Sequence, residues 1–309
     1  MERYAARPVS DERVEIAEGC RWDGGTQRLL WVDVFTGRLY VASFDGRRLT
    51  TTVVLKVPGH LTAVAPFQDR EEGWIVAANQ GFSRLSPSGE TTPLGDPEAR
   101  NAGAVRMNDG ACDPAGRFWA GSMAYDGSPG AGSLYRYDGG GRWTTMLTGV
   151  TISNGIGWSP DAQRMYYVDS GAGTVSVLAY NVETGEATHR RPLITLDPGQ
   201  GIPDGLCVDR DGHLWVAIWG AGEVRRYSPE GIQVAVVEVA ANQPTCCALG
   251  GPDGRSLFIT TAQIDLSGED LAKQPQAGRV FACRVETPGP PVQVFIPNPT
   301  TELVAEQPK

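Results

Sequence analysis

One pattern recurs six times along this chain, and it restricts the possible folds more than any other feature. Short runs rich in aromatic and β-branched residues follow turn residues at "LLWVDV" (29–34), "GWIVAANQ" (73–80), "RFWAGSM" (117–123), "RMYYVDS" (164–170), "HLWVAIW" (213–219) and "SLFITTA" (256–262). Such runs read as buried strands. Each is followed by a second strand that opens with Gly, as in "GRLYVASFDG", "GSLYRYDGGG" and "GEVRRYSPEG", and most of these end in Gly, Asp, Asn or Pro turns. Copies lie roughly 40 to 56 residues apart, which suits one four-stranded sheet per repeat. Six such sheets predict an all-β, six-bladed β-propeller. A β-sandwich needs no such period, and an α/β fold needs helices between the strands. No Pro/Gly-rich linker divides the chain, so residues 1–309 read as a single propeller domain.

Composition narrows the partners. With 309 residues and 41% hydrophobic content the chain can bury a substantial core. Its net charge of −9 and the absence of Lys/Arg runs argue against nucleic acid or an anionic membrane. The N-terminal stretch "MERYAARPVSDERVEIAEG" carries charges where a signal peptide needs an apolar region, which predicts a cytoplasmic protein. The six cysteines form no CxxC pair and read as small buried residues.

Another short strand precedes each aromatic run, and in a propeller this innermost strand lines the central channel. Counting along the repeats sets Glu18 of "EGCRWD", Asn108 of "NDGACD", Asn154 of "NGIGWS" and Asp204 of "DGLCVD" in one register. The same count places Leu61 and Cys246 in the other two repeats, flanked by His60, Thr62 and Thr245. Two carboxylates and two amides make an oxygen donor set suited to Ca²⁺, Mg²⁺ or Mn²⁺, and the same set admits Zn²⁺. Asn-Gly and Asp-Gly are also common turn dipeptides. Glu18-Gly19 has no such alternative, and recurrence in register favours one divalent metal ion. The segment "DRDGHLW" (209–215) hints at a calcium loop but lacks the later Glu and falls at a repeated blade turn.

These residues bear a family resemblance. The segments "AEGCRWDGGTQRLLWVDVFTGRLY", "RMNDGACDPAGRFWAGSM", "ISNGIGWSPDAQRMYYVDS", "IPDGLCVDRDGHLWVAIWGAGEVRRYSPEG" and "PTCCALGGPDGRSLFITTA" run in order from about residue 17 to 262. In this the chain resembles the senescence marker protein 30 / gluconolactonase family, which includes regucalcin and bacterial sugar lactonases. The resemblance implies a metal held by Glu18, Asn154 and Asp204, and a substrate site lined by Arg106, Asn108 and Asp109. It also points to Asp126, in "AYDGSPGAG", as a substrate contact where relatives carry an acidic pair. Cys20 stands where Pro is usual.

The resemblance thus implies hydrolysis of sugar lactones, with Asp204 as candidate general base for the attacking water. Arg106 offers a planar fork for a sugar oxygen or the developing carboxylate, and Asn108 can both donate and accept. No GxSxG or HExxH motif occurs, and the only histidines are His60, His189 and His213, which disfavours serine-hydrolase and His-rich zinc chemistry. The alternative is a noncatalytic propeller that binds calcium or a protein partner. The joint presence of Arg106 and Asn108 with the oxygen set favours the enzyme. The choice of lactone rests with the loops around 59–63, 124–132 and 263–277, and the sequence carries no signal of oligomeric state.

Overall fold

Alternation decides how the repeats pack. Along "LLWVD" successive side chains point to opposite faces of the sheet: Trp31 packs towards one neighbouring sheet with Trp22, Tyr40 and Phe258, while Leu30 and Val32 pack towards the other with Leu61, Val64 and Val76. Every repeat does the same, and the buried apolar residues fall into six clusters, one between each pair of adjacent sheets. The result, in a computed structural model that describes residues 1–297, is the six-bladed β-propeller.

Blades 1 to 4 are each four consecutive antiparallel strands, with innermost strands Ala17–Asp23, Leu61–Pro66, Val105–Cys112 and Ser153–Trp158. Blades 5 and 6 have innermost strands Ile202–Val208 and Pro244–Gly250. Neighbouring innermost strands touch all the way round, with blade 6 meeting blade 1, so the ring is closed. The only α-helix among the described residues is Gly268–Lys273, and no helix is long and apolar enough to cross a membrane.

Ring closure uses a device the repeats do not reveal. The segment after Ser256–Thr261 supplies only one more strand, Phe281–Arg284, and its outer edge is completed by Arg7–Pro8 from the other end of the chain. Just before this, Glu2–Ala5 adds a parallel fifth strand to blade 5 against Ala235–Glu238. The N-terminus thereby staples blades 5 and 6. Deleting residues 1–8 removes six registered residue pairs, four in one ladder and two in the other. At roughly 1 kcal/mol per ladder hydrogen bond this costs about 5 kcal/mol. Thermal melting of the truncated chain should show a transition lowered by on the order of 10 °C.

The C-terminal part of the described chain crosses the lower end of the channel. The Arg210 amide donates to the Pro288 carbonyl at 3.0 Å and the Gly289 amide to Gly254 at 2.9 Å, anchoring the strap on blades 5 and 6. Across the channel, the Phe295 amide reaches the Pro66 carbonyl at 2.8 Å and Ile296 reaches Gly116 at 2.9 Å, on blades 2 and 3. Above Pro290–Gln293 lies a cavity of about 190 Å³ that Cys20, Cys112, Cys207, Cys246 and Cys247 help to line. All six cysteines are free; four are buried and Cys207 and Cys283 partly so. With this end covered, the approach to the channel is from the opposite end.

The acidic residues that end "NDGACD" and "DGLCVD", Asp113 and Asp209, hold the lower turns. Asp113 accepts from the Ala115 and Arg117 amides, the Trp119 indole and Tyr180, and pairs with Arg117. Asp209 does the same with the Asp211 and His213 amides, the Trp215 indole and Arg226. The carboxylate at the head of "DRDGHLW" is therefore committed to its blade turn.

Candidate active site

Each innermost strand carries a β-bulge at one and the same level. Between Ala17↔Asp33 and Arg21↔Leu30, three inner residues face two on the partner strand, and the bulge opens on Glu18. Equivalent pairs bracket Asn108 (Met107↔Ser122, Ala111↔Trp119), Asn154 (Ser153↔Asp169, Gly157↔Tyr166) and Asp204 (Pro203↔Ile218, Cys207↔Trp215). A bulge breaks the ladder and re-aims the side chain at its start. The four oxygen-bearing residues thus share one structural level.

The same pairs correct the register in the remaining blades. Leu61↔Ala78 and Pro244↔Thr261 are equivalent to Ala17↔Asp33, so the ring positions are Thr62 and Thr245, and not Leu61 and Cys246. The one-residue slip arises because counting from the turns ignores where the bulge falls. Both hydroxyls face carbonyls of the adjoining innermost strand: Thr62 Oγ1 donates to Asn108 O at 2.9 Å, and Thr245 Oγ1 to Ala17 O at 2.5 Å. All six ring positions carry a side-chain oxygen, and the two threonines tie the ring together.

Three acids feel one another's charge here: Glu18 and Asp204 of the ring, and Asp109 next to Asn108. Glu18 Oε2 accepts from the Gly19 amide at 2.9 Å, and Asp109 Oδ1 from the Gly110 amide at 2.7 Å. Burial, followed by the charge of Asp109, pushes Glu18 up to about 8; Glu18 keeps some surface in the channel, but protein surrounds its carboxyl. Burial lifts Asp109 to about 6 against the pull of Arg21, and burial with the charges of Glu18 and Asp109 raises Asp204 well above its usual range. The Oδ1 atom of Asp204 is buried with no hydrogen-bond partner. Asp109, implied only as substrate lining, is the third member of this acidic cluster; its signal was the acid directly after Asn108.

Neutral amides continue the site. Asn154 Nδ2 donates to Ser170 Oγ at 2.8 Å, and that hydroxyl donates to the Pro203 carbonyl at 2.6 Å, so Ser170 fixes Asn154 beside the strand that carries Asp204. Asn108 Nδ2 donates to Ser153 O at 2.7 Å and Asn154 Oδ1 at 3.1 Å, and its own oxygen accepts from Arg106 Nη1 at 2.6 Å. Arg106 is 9% exposed. Its guanidinium otherwise donates to the Met107 carbonyl at 3.0 Å and, among the described residues, pairs with no carboxylate. Such a cation is costly to bury alone and is suited to receive an anionic or carbonyl oxygen.

One sequence expectation falls at the rim. Asp126 is exposed and its Oδ1 accepts the Ser128 amide at 2.9 Å, within its own turn. The preceding residue meets His60: Tyr125 OH lies 3.0 Å from His60 Nδ1, and the Tyr125 amide donates to the Ala104 carbonyl at 3.0 Å, two residues before Arg106. Burial and Arg106 together depress His60 below the ordinary imidazole value.

Among the described residues no three His, Cys, Asp or Glu side chains converge as a metal-holding group. A cation at this ring would draw on the two carboxylates Glu18 and Asp204 and the neutral oxygen of Asn154. The donor chemistry fits a hard divalent ion, and the unpartnered Asp204 Oδ1 is the observation on this structure that favours one.

Known proteins share both fold and sequence. L-arabinolactonase of Azospirillum brasilense is 35% identical over 295 residues, covering 94% of this chain and 95% of that protein. Regucalcin of Danio rerio is 34% identical over 277 residues, covering 88% and 92%. The crystal structure of a calcium-binding protein, regucalcin, from Agrobacterium tumefaciens superposes with a TM-score of 0.88 at 28% identity, covering 96% of this chain and 98% of that one. The model of the SMP-30/Gluconolactonase/LRE-like region matches residues 16–263, a span that takes in the innermost strands of all six blades. The chain belongs to the SMP-30/gluconolactonase/LRE-like family.

Proposed function

We propose that this protein is a metal-dependent lactonase that opens the cyclic ester of sugar lactones, aldonolactones such as gluconolactone or arabinolactone. The observation that carries the reading is the meeting in one channel of three buried acids, with Asp204 Oδ1 left without a partner, and a buried Arg106 that pairs with no carboxylate among the described residues. A relative named L-arabinolactonase spans almost the whole chain, which supports the same reaction class. The relative solved as a calcium-binding protein supports a divalent ion in the channel. A propeller that merely bound calcium would have no need of Arg106 hydrogen-bonded to Asn108 of the ring.

Glu18, Asn154 and Asp204 would hold the ion, which when bound supplies Lewis-acid polarisation of the ester carbonyl. Arg106 and Asn108 orient the lactone. The guanidinium faces the oxygen that gains charge as water adds, in a site from which most water is excluded, where such a donor acts strongly. Asp204 is the candidate group to take the proton of the attacking water. The ring C–O bond then breaks, that proton passes to the leaving alkoxide, and an open-chain hydroxy acid results. No covalent intermediate on the protein is required.

A pH-indicator assay across a panel of aldonolactones tests the proposal, using protein stripped of metal and reloaded with Ca²⁺, Mg²⁺, Mn²⁺ or Zn²⁺. Acid release should depend on the added ion and return on reloading. Silence across the whole panel with every ion would leave the binding-protein reading instead.

A further inference from the structure

The ring of oxygens reads the polar atoms of a ligand from below; the wall beside it has a different chemistry. Three aromatic rings form an arc across blades 1, 2 and 3. Phe35 meets His60 edge-on with centroids 5.5 Å apart, and His60 meets Tyr125 at 5.6 Å with the rings inclined by 52°. The Tyr125 hydroxyl lies 3.0 Å from His60 Nδ1, and the His60 amide donates to Asn79 Oδ1 at 2.9 Å. The Asn79 amide nitrogen also donates to the Pro58 carbonyl at 2.9 Å. Gly59, at φ +81°, leaves no room for a Cβ beside Asn79 Oδ1, so this turn is held tightly and His60 with it. Tyr125 nevertheless keeps 44% of its surface open.

A large ring that is both exposed and pinned is a surface prepared for a ligand. Tyr125 leaves the strand opposite Ala104, two residues before Arg106, the donor assigned above to the ester oxygen. The acid expected at this rim, Asp126, is turned out to the Ser128 amide. The rim therefore presents an aromatic face where a carboxylate would have bound hydroxyls.

We propose that Tyr125, held by His60, is a specificity-determining residue that stacks on the C–H face of the intact lactone ring. This rests on the lactonase reading. An aromatic face is electron-rich and attracts the polarised C–H bonds of a sugar ring. A lactone offers a compact ring face, flattened by its planar ester, whereas the open-chain product offers none. The wall thus reads ring closure itself, not the hydroxyl pattern, and holds substrate in preference to product.

The test compares wild type, Tyr125→Ala and Tyr125→Phe on glucono-1,5-lactone and on δ-valerolactone, which has a ring but no hydroxyls. Calorimetric titration with gluconolactam, a ring that is not hydrolysed, and with gluconate runs in parallel. Tyr125→Ala should lower kcat/KM about tenfold on both lactones, mostly through KM, and weaken lactam binding about tenfold while leaving gluconate binding unchanged. Tyr125→Phe keeps the face and should change each value by less than about threefold. Because Tyr125 is exposed, melting temperatures should match the wild type. If Tyr125→Phe is as damaging as Tyr125→Ala on gluconolactone while valerolactone is untouched, the hydroxyl contacts the sugar and the stacking proposal is overturned. It is equally overturned if neither variant alters turnover or lactam affinity. If no lactone is turned over by wild type, yet lactam binding falls in Tyr125→Ala, the wall stands and the lactonase reading fails.

Discussion

Asp204→Ala is expected to lower kcat/KM for the best lactone by about 10²- to 10⁴-fold, the range for loss of a positioned general base. It should also abolish stabilisation by the divalent ion, because it removes one of the only two carboxylates of the donor set and leaves Glu18 and Asn154 alone. Asp204→Asn separates the two roles. The amide keeps the shape and can still offer an oxygen to a cation, but it cannot take a proton. If Asp204→Asn binds the ion by calorimetry and still turns over at the wild-type rate, Asp204 is a ligand only. The fold should survive both substitutions. A buried carboxyl oxygen without a partner destabilises the channel, so the metal-free variants should melt no lower than metal-free wild type.

The second large effect is on stability against pH. Glu18 sits at about 8 in the folded protein against an ordinary 4.5, raised first by burial and then by Asp109; Arg106 and the Gly19 amide oppose the shift, and Asp204 in turn feels the charge of Glu18. Between these two values the folded chain binds more protons than the unfolded one, so the contribution is fully present below pH 4.5 and is lost as pH rises through 8. Metal-free protein should therefore lose a few kcal/mol across this window, which for a chain of this size lowers the melting temperature by on the order of 10 °C. A divalent ion competes with those protons, so the stabilisation it confers should grow over the same window. Calorimetric melts at pH 5, 6.5 and 8, with chelator and with excess ion, measure both trends. A chelated protein that is as stable at pH 8 as at pH 5 would show that the acids of the ring are not held protonated by burial.

Much of this molecule is legible in the chain because its information is local and repeated. A strand buried on both faces must be aromatic and β-branched, a tight turn must carry Gly, Asp or Asn, and six copies of both leave few architectures. Glu18, Asn108, Asn154 and Asp204 could be aligned for the same reason, since each lies at a constant distance from its own blade turn. Thr62 and Thr245 escaped that count by one residue. A bulge changes which residue faces which partner without changing the spacing that a sequence displays.

What the sequence by itself determined is the number of blades, the placement of their strands and the four oxygen-bearing residues at the heads of the innermost strands. These follow from periodicity, which acts within each blade. Only the tertiary structure decided the rest, because it depends on groups distant along the chain meeting in space. Residues 2–8 complete blades 5 and 6 by pairing with strands more than two hundred residues away, and the strap through Pro290–Gln293 covers one end of the channel. Tyr125 meets His60 while Asp126 is spent on the Ser128 amide, because one residue of backbone in a turn sends neighbouring side chains to different partners. The raised affinities of Glu18, Asp109 and Asp204 for protons exist only where three strands from different blades bring their acids into one water-poor channel.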